Sequence, residues 1–170
     1  MRKIIFLILL TACFFSCNSR VENNQSGNKN SNLSETNTYD VYSDEFFNVV
    51  KMDSLKNKVR KEGDILAFQE LKEIYYNSGH ENEFLYYSTF MANVYNYDYA
   101  FYTSYSILMT DIINEKNEIN NVYANYYLLK SYELGYKEAY STIEERFGKS
   151  ERFISSKDYL KDNYDLLFGN

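Results

Sequence analysis

Three textures follow one another along the chain. Ile4 to Leu10 is an unbroken apolar run, whereas from Asn18 to about Tyr42 the residues are mostly Asn, Ser, Gln, Gly and Thr, with Val21 and Leu33 nearly the only aliphatics before Val41. From about residue 44 onward, apolar positions recur at intervals of three and four. That spacing is the period of a helix with one buried stripe, while a half-buried strand alternates in twos. Ala67, Leu71, Ile74 and Tyr75 fall on one helical face, and Ala100, Ser104, Ile107 and Leu108 fall on another. Tyr, Phe and Ile also favour strands, but alternation in twos persists nowhere beyond a few residues. The chain contains no proline, so no position forces a long helix to break. The pattern predicts an all-α domain over 44–170, with helices at 53–62, 64–77, 82–95, 97–111, 120–134, 136–147 and 156–167, and a short one at 44–50.

Turn residues punctuate this pattern. Asn77 to His80 reads as a connecting turn, Asn96 and Gly135 suit the left-handed position that closes a helix, and Asn114 to Asn117 reads as a longer loop. Aligning the segments that begin at Gly63, Asn96 and Gly135 reveals one skeleton three times: a turn residue, three variable positions, an alanine (Ala67, Ala100, Ala139) and an aromatic (Phe68, Phe101, Tyr140). The offsets lie in the window of helical repeat proteins. A turn residue ends one helix, and four positions later a small alanine lets the next pack closely. Eight residues beyond each alanine, Tyr75, Leu108 and Phe147 are expected to fill the layer between hairpins.

Ala124, Tyr127, Lys130, Ser131, Gly135 and Ala139 together resemble the SEL-type tetratricopeptide-like repeat, whose signature runs alanine, aromatic, lysine, small residue, glycine, alanine at this spacing. Ala67, Leu71 and Tyr75 resemble the first helix of that repeat, with Lys72 where the family usually has glycine. The resemblance spans about residues 53 to 148 and implies antiparallel helical hairpins stacked as a short solenoid. Members of that family are mainly binding scaffolds, so the resemblance implies partner recognition and carries over no catalytic residue.

The first texture resembles a bacterial lipoprotein signal peptide: Arg2 and Lys3, the apolar run, then small residues before Cys13 and Cys17, the only two cysteines. Ile4 to Phe15 is too short to span a bilayer, which needs about 20 apolar residues. In such proteins the cysteine left by cleavage carries the lipid. Leu10-Thr11-Ala12-Cys13 matches the usual cleavage box more closely, but cleavage before Cys17 leaves a polar mature end, Asn18-Ser19-Arg20, and Cys17 is favoured with Cys13 as the alternative. This gives a leader over 1–16, then a lipidated cysteine and linker over 17–43. The linker is too poor in apolar residues to offset its ordering entropy, and as a coil of roughly 25 residues it would hold the domain about 25 to 30 Å from the membrane. Composition and cleavage site resemble lipoproteins of the Bacteroidota.

Chemistry narrows by elimination. Beyond Cys17 there is no cysteine, and His80 is the only histidine, placed by the pattern in an exposed turn. Cysteine–histidine catalysis and zinc sites built from these residues are thereby excluded. No serine sits in a nucleophile elbow, and the six glycines are scattered rather than gathered in a phosphate loop. Glu70 and Glu73, or Glu144 and Glu145, are spaced as solvated helix faces, so a two-carboxylate hydrolase has little support. Net charge is −6, and removal of Arg2 and Lys3 with the leader takes it to −8. Nucleic-acid binding calls for clustered positive charge, and only Lys51 to Lys61 is locally basic, a pattern that reads as a solvated face. No metal or cofactor is expected.

The 19 tyrosines and 12 phenylalanines are the marked excess. Helical geometry turns Tyr99 and Tyr102 away from Ser104 and Leu108, and exposed tyrosines are common at protein interfaces. Positions opposite the register alanines are Gln69, Glu73 and Tyr76 on one helix and Tyr102, Ser106 and Met109 on the next. With Tyr99 they form the expected partner-binding face, mixed acidic and aromatic. The leading expectation is a non-enzymatic, membrane-anchored scaffold binding a protein or peptide with a basic, partly apolar surface. A glycan or envelope-polymer binder, an envelope toxin-immunity protein and a small acidic hydrolase are the competing readings.

Overall fold

The computed structural model describes residues 38–115 and 117–169, with side chains from 41 to 110 and 117 to 169. The described residues form no strand: the structure is all-α, within one compact unit, Glu35–Asn170. Its helices are α1 (Thr38–Phe47), α2 (Val49–Glu62), α3 (Ile65–Asn77), α4 (Leu85–Tyr95) after a 3-10 turn at Glu81–Phe84, α5 (Asp98–Glu115), α6 (Glu118–Glu133), α7 (Lys137–Phe147), α8 (Ser156–Asp162) and α9 (Tyr164–Phe168).

Local chemistry sets most of the ends. Asn48, Asp64, Asn117 and Ser155 each accept a backbone N–H three residues on, which caps α2, α3, α6 and α8. Gly63, Gly79, Asn96 and Gly135 all have positive φ. In each case the next residue donates back to a carbonyl of the preceding helix: Asp64 to Lys58, His80 to Tyr75, Tyr97 to Met91 and Tyr136 to Ser131. The expected ends differ most at five places. The short helix expected over 44–50 is divided between the longer α1 and the start of α2, which begins at Val49 instead of residue 53, and the first turn of the helix expected over 82–95 is the 3-10 turn at Glu81–Phe84. Helix α5 continues through Asn114 to Glu115, and the single helix expected over 156–167 breaks at Asn163, whose side-chain amide donates to the Tyr159 carbonyl at 2.8 Å.

Two apolar clusters hold the helices together. The larger is built from Met52, Leu55 and Val59 of α2, Phe68, Leu71 and Ile74 of α3, Phe84, Met91 of α4, and Phe101 and Ile107 of α5, reaching Ala124 and Tyr127 of α6. The smaller joins Leu128 and Leu129 of α6 to Ala139 and Ile143 of α7. Helix α5 packs against both α4 and α6. Ala67, Ala100 and Ala139 are all buried, as are Ser88, Ser104 and Ser131. Ser104 donates to the Ser88 hydroxyl at 3.0 Å and Ser131 donates to the Asp98 carbonyl at 2.9 Å, so small polar residues bring α4, α5 and α6 close without stranding a polar atom.

Of the three positions expected between hairpins, Tyr75 and Leu108 are buried, but Phe147 is exposed and meets Tyr159 edge-on. Phe147 is the last residue of α7, where Tyr159 of α8 covers only part of its ring. The α7 end is held instead by Arg146, which donates to Asn121 and Asn125 of α6 and lies 6.0 Å from the Tyr105 ring centre, while Asn125 donates to Tyr159 at 2.6 Å. Lys51 departs from its reading as a solvated residue: its Nζ lies 3.0 Å from Glu45 of α1 and 2.7 Å from Glu70 of α3, so it ties three helices.

Candidate functional site

A cleft of about 500 Å³ opens where α3 meets the start of α5 and the α6–α7 turn, and it is lined by Gln69, Lys72, Glu73, Tyr97, Asp98, Tyr99 and Tyr136. The turns build it. Asn96 and Gly135 reverse the chain at matching points, and the residues that follow, Tyr97 and Tyr136, occupy equivalent positions, Tyr97 with its ring against α3 and Tyr136 with its ring against α5. Tyr97 meets Phe68 edge-on at 5.7 Å, Tyr99 lies 6.0 Å from Tyr97 and 5.5 Å from Tyr136, and Tyr136 continues to Tyr102 at 5.1 Å. The result is a line of tyrosines along one side of α5.

One cation lies within this line. Lys72 Nζ is 4.4 Å from the Tyr76 ring centre and 5.6 Å from that of Tyr99, distances at which an ammonium is attracted to an aromatic face. Asp98, the first residue of α5, accepts the Tyr99 amide at 2.7 Å, while Glu73 stands exposed at the rim. Burial pushes the Tyr76 hydroxyl up to about 12, with Tyr99 and Glu81 adding to the shift. Burial likewise takes Tyr136 up to about 12, aided by Glu138 and Tyr99. Tyr97 is raised by burial, opposed by the Gln69 side chain. These phenols are therefore neutral hydrogen-bond donors at ordinary pH. The cleft offers aromatic area, hydroxyls, an amide and charges of both signs, a combination suited to recognition.

The structure brings together some of the expected face and separates the rest. Gln69, Glu73 and Tyr99 line the cleft, and Tyr76 adjoins it through Lys72. Tyr102 is half-buried in the contact between α5 and α7, its hydroxyl 3.1 Å from Thr142 Oγ1. Ser106 donates to the Tyr102 carbonyl at 3.1 Å, and Met109 packs on the larger apolar cluster. Neither Tyr99 nor Tyr102 faces open solvent, because the α6–α7 turn and α7 cover the side of α5 that helical geometry alone leaves bare.

Lys72, Tyr97, Asp98 and Tyr136 were not anticipated. Their signal was present in the repeat, since Tyr97 and Tyr136 share a position and Lys72 stands at a departure from the glycine of the resembled pattern. His80 also differs from its expected place: it is half-buried, stacked on Phe46 at 3.8 Å with an 11° tilt, and its Nδ1 lies 3.0 Å from the Ser78 hydroxyl. Cys13 and Cys17 lie outside the described residues. Among the described residues no group of three or more His, Cys, Asp and Glu is gathered as a metal would require, and no helix is long and apolar enough to cross a membrane. Searched against protein-family models, curated proteins and solved structures, the chain matches none.

Proposed function

We propose that this protein is a non-enzymatic helical-repeat scaffold, anchored to a membrane through lipid on Cys17, that binds a protein or peptide partner in the cell envelope. The observation that carries the binding half is the tyrosine-lined cleft, whose acidic rim and aromatic walls match what protein interfaces use for steering and anchoring. A stacked-hairpin reading, in which α5 and α6 form the most closely packed pair, draws support from the equivalent turn residues Gly63, Asn96 and Gly135 and the buried alanines four positions after each. The anchoring half draws on the leader and its cysteine alone.

Each half has its own test. Gln69→Ala combined with Glu73→Ala changes two exposed positions and should abolish capture of the partner from envelope extracts while leaving the circular dichroism spectrum intact. Capture unaffected by that pair would take the cleft out of partner binding. Cys17→Ala should abolish metabolic lipid labelling and Cys13→Ala should preserve it, and the opposite pattern would reassign the anchor. Tyrosine faces also suit sugars, so an envelope polysaccharide bound in the absence of any captured protein would replace the partner reading.

A further inference from the structure

The cleft contains two carboxylates without a cation and one cation without a carboxylate. Among the described residues the ion pairs join Lys51 to Glu45, Lys51 to Glu70 and Lys130 to Glu133, and none uses Lys72, Glu73 or Asp98. Lys72 lies instead against the Tyr76 and Tyr99 rings. Asp98 spends one carboxylate oxygen, Oδ1, on the Tyr99 amide. The walls thus already hold an ammonium group, and the rim still lacks positive charge.

We propose that the cleft is a receptor for a basic side chain, lysine or arginine, projecting from a protein partner, and that Lys72 is its resident occupant, displaced from Tyr99 when the partner's cation enters. The inference rests on the partner-binding reading above. A guanidinium can stack on a tyrosine ring and donate to Asp98 and Glu73 at once, which favours arginine over lysine. A volume of about 500 Å³ admits such a side chain with its apolar stem. Lys72 makes the proposal directional. Removing it should help an incoming cation by vacating the ring and relieving like-charge repulsion, whereas an anionic partner would be weakened and a neutral sugar would gain nothing from the loss of repulsion.

The test uses the full chain in detergent micelles with 3-fluorotyrosine incorporated, its resonances assigned by single Tyr→Phe replacements. The probe is arginine capped at both ends, with capped glutamate and a neutral glucose oligomer in parallel. Capped arginine should move the Tyr97, Tyr99 and Tyr136 resonances and the other two should not. Lys72→Gln should tighten arginine binding about three- to tenfold and Glu73→Gln should loosen it similarly, with melting temperatures showing that both variants are folded. Unchanged or weaker arginine binding in folded Lys72→Gln overturns the proposal, and so does movement of the same resonances by the glucose oligomer instead. A chain that ignores arginine yet still captures a protein overturns the cation receptor alone. One that binds arginine but captures no protein overturns the partner reading while the cation chemistry of the cleft stands.

Discussion

Gly63 is constrained twice. Its φ is +64°, and a Cβ built there would lie 2.5 to 2.7 Å from ring atoms of Tyr95, whose hydroxyl is itself held at 3.1 Å by the Arg60 carbonyl. Gly135 has φ +93° but nothing within 4 Å of its Cβ position. Gly63→Ala should therefore cost more than about 2 kcal/mol, the left-handed strain plus displacement of the ring, against about 1 kcal/mol for Gly135→Ala. Asn96→Gly should be within about 0.5 kcal/mol of wild type. Denaturant midpoints check the order, and equal losses at both glycines would refute the steric account. All three turn residues were legible in the sequence, because helix closure is written in the chemistry of adjacent positions. The Tyr95 ring over Gly63 and the Phe46 ring on His80 were not, since each contact joins residues more than thirty positions apart.

At the scale of elements, α8 illustrates how a short helix is held from outside. Besides its own Ser155–Asp158 cap, its first residue donates twice to Glu133 of α6, through the Ser156 amide at 2.6 Å and hydroxyl at 2.8 Å, with Lys130 3.3 Å away. Burial alone would raise the Glu133 pKa, but the Ser156 bonds and Lys130 outweigh it and leave the carboxyl below its usual 4.5. A carboxylate depressed in the folded state stabilises above the unfolded value and loses that contribution as pH falls through the folded one. Glu133→Gln should thus cost about 1 kcal/mol at neutral pH, a difference that shrinks progressively below pH 4.5. A gap that stays constant down to pH 2 would exclude the ionised cap. The apolar period located α3 to α7 well. It missed the extent of α1 and the break at Asn163, where short amphipathic segments leave capping and tertiary contacts to decide the ends.

Across the whole molecule, the aromatic content makes stability depend on alkali. Burial raises Tyr75, Tyr76, Tyr87, Tyr97, Tyr105, Tyr126, Tyr127 and Tyr136 above the ordinary 10, with Tyr76 and Tyr136 at about 12. Groups raised in the folded state stabilise it below the unfolded pKa, and the contribution disappears as pH rises through the folded values. Lys51 acts in the same direction, raised chiefly by its bonds to Glu70 and Glu45. The domain should therefore unfold cooperatively between pH 10 and about 12, with these tyrosines ionising together as helical dichroism is lost. Gradual ionisation centred near 10 with dichroism unchanged would sink this account. The aromatic excess was visible in composition, and a face near Gln69, Glu73 and Tyr99 followed from helical periodicity. The cleft was not visible, because its walls come from three segments that only folding brings together.

The attachment of α1 has a mechanical side. Tyr42 and Phe46 are only partly buried, and a single lysine bridges Glu45 to α3, whereas α5 is enclosed by α4 and α6 with fully buried seams. Any pull on the residues before Thr38 reaches α1 first, so this helix is a fuse: it lets go early and spares the rest. Its ten residues, about 15 Å long as a helix, would then extend to at most about 35 Å, absorbing load before the cleft is deformed. A force–extension trace taken from the N-terminal side should contain a small early step ahead of the main rupture, and a single rupture with no such step would remove the fuse.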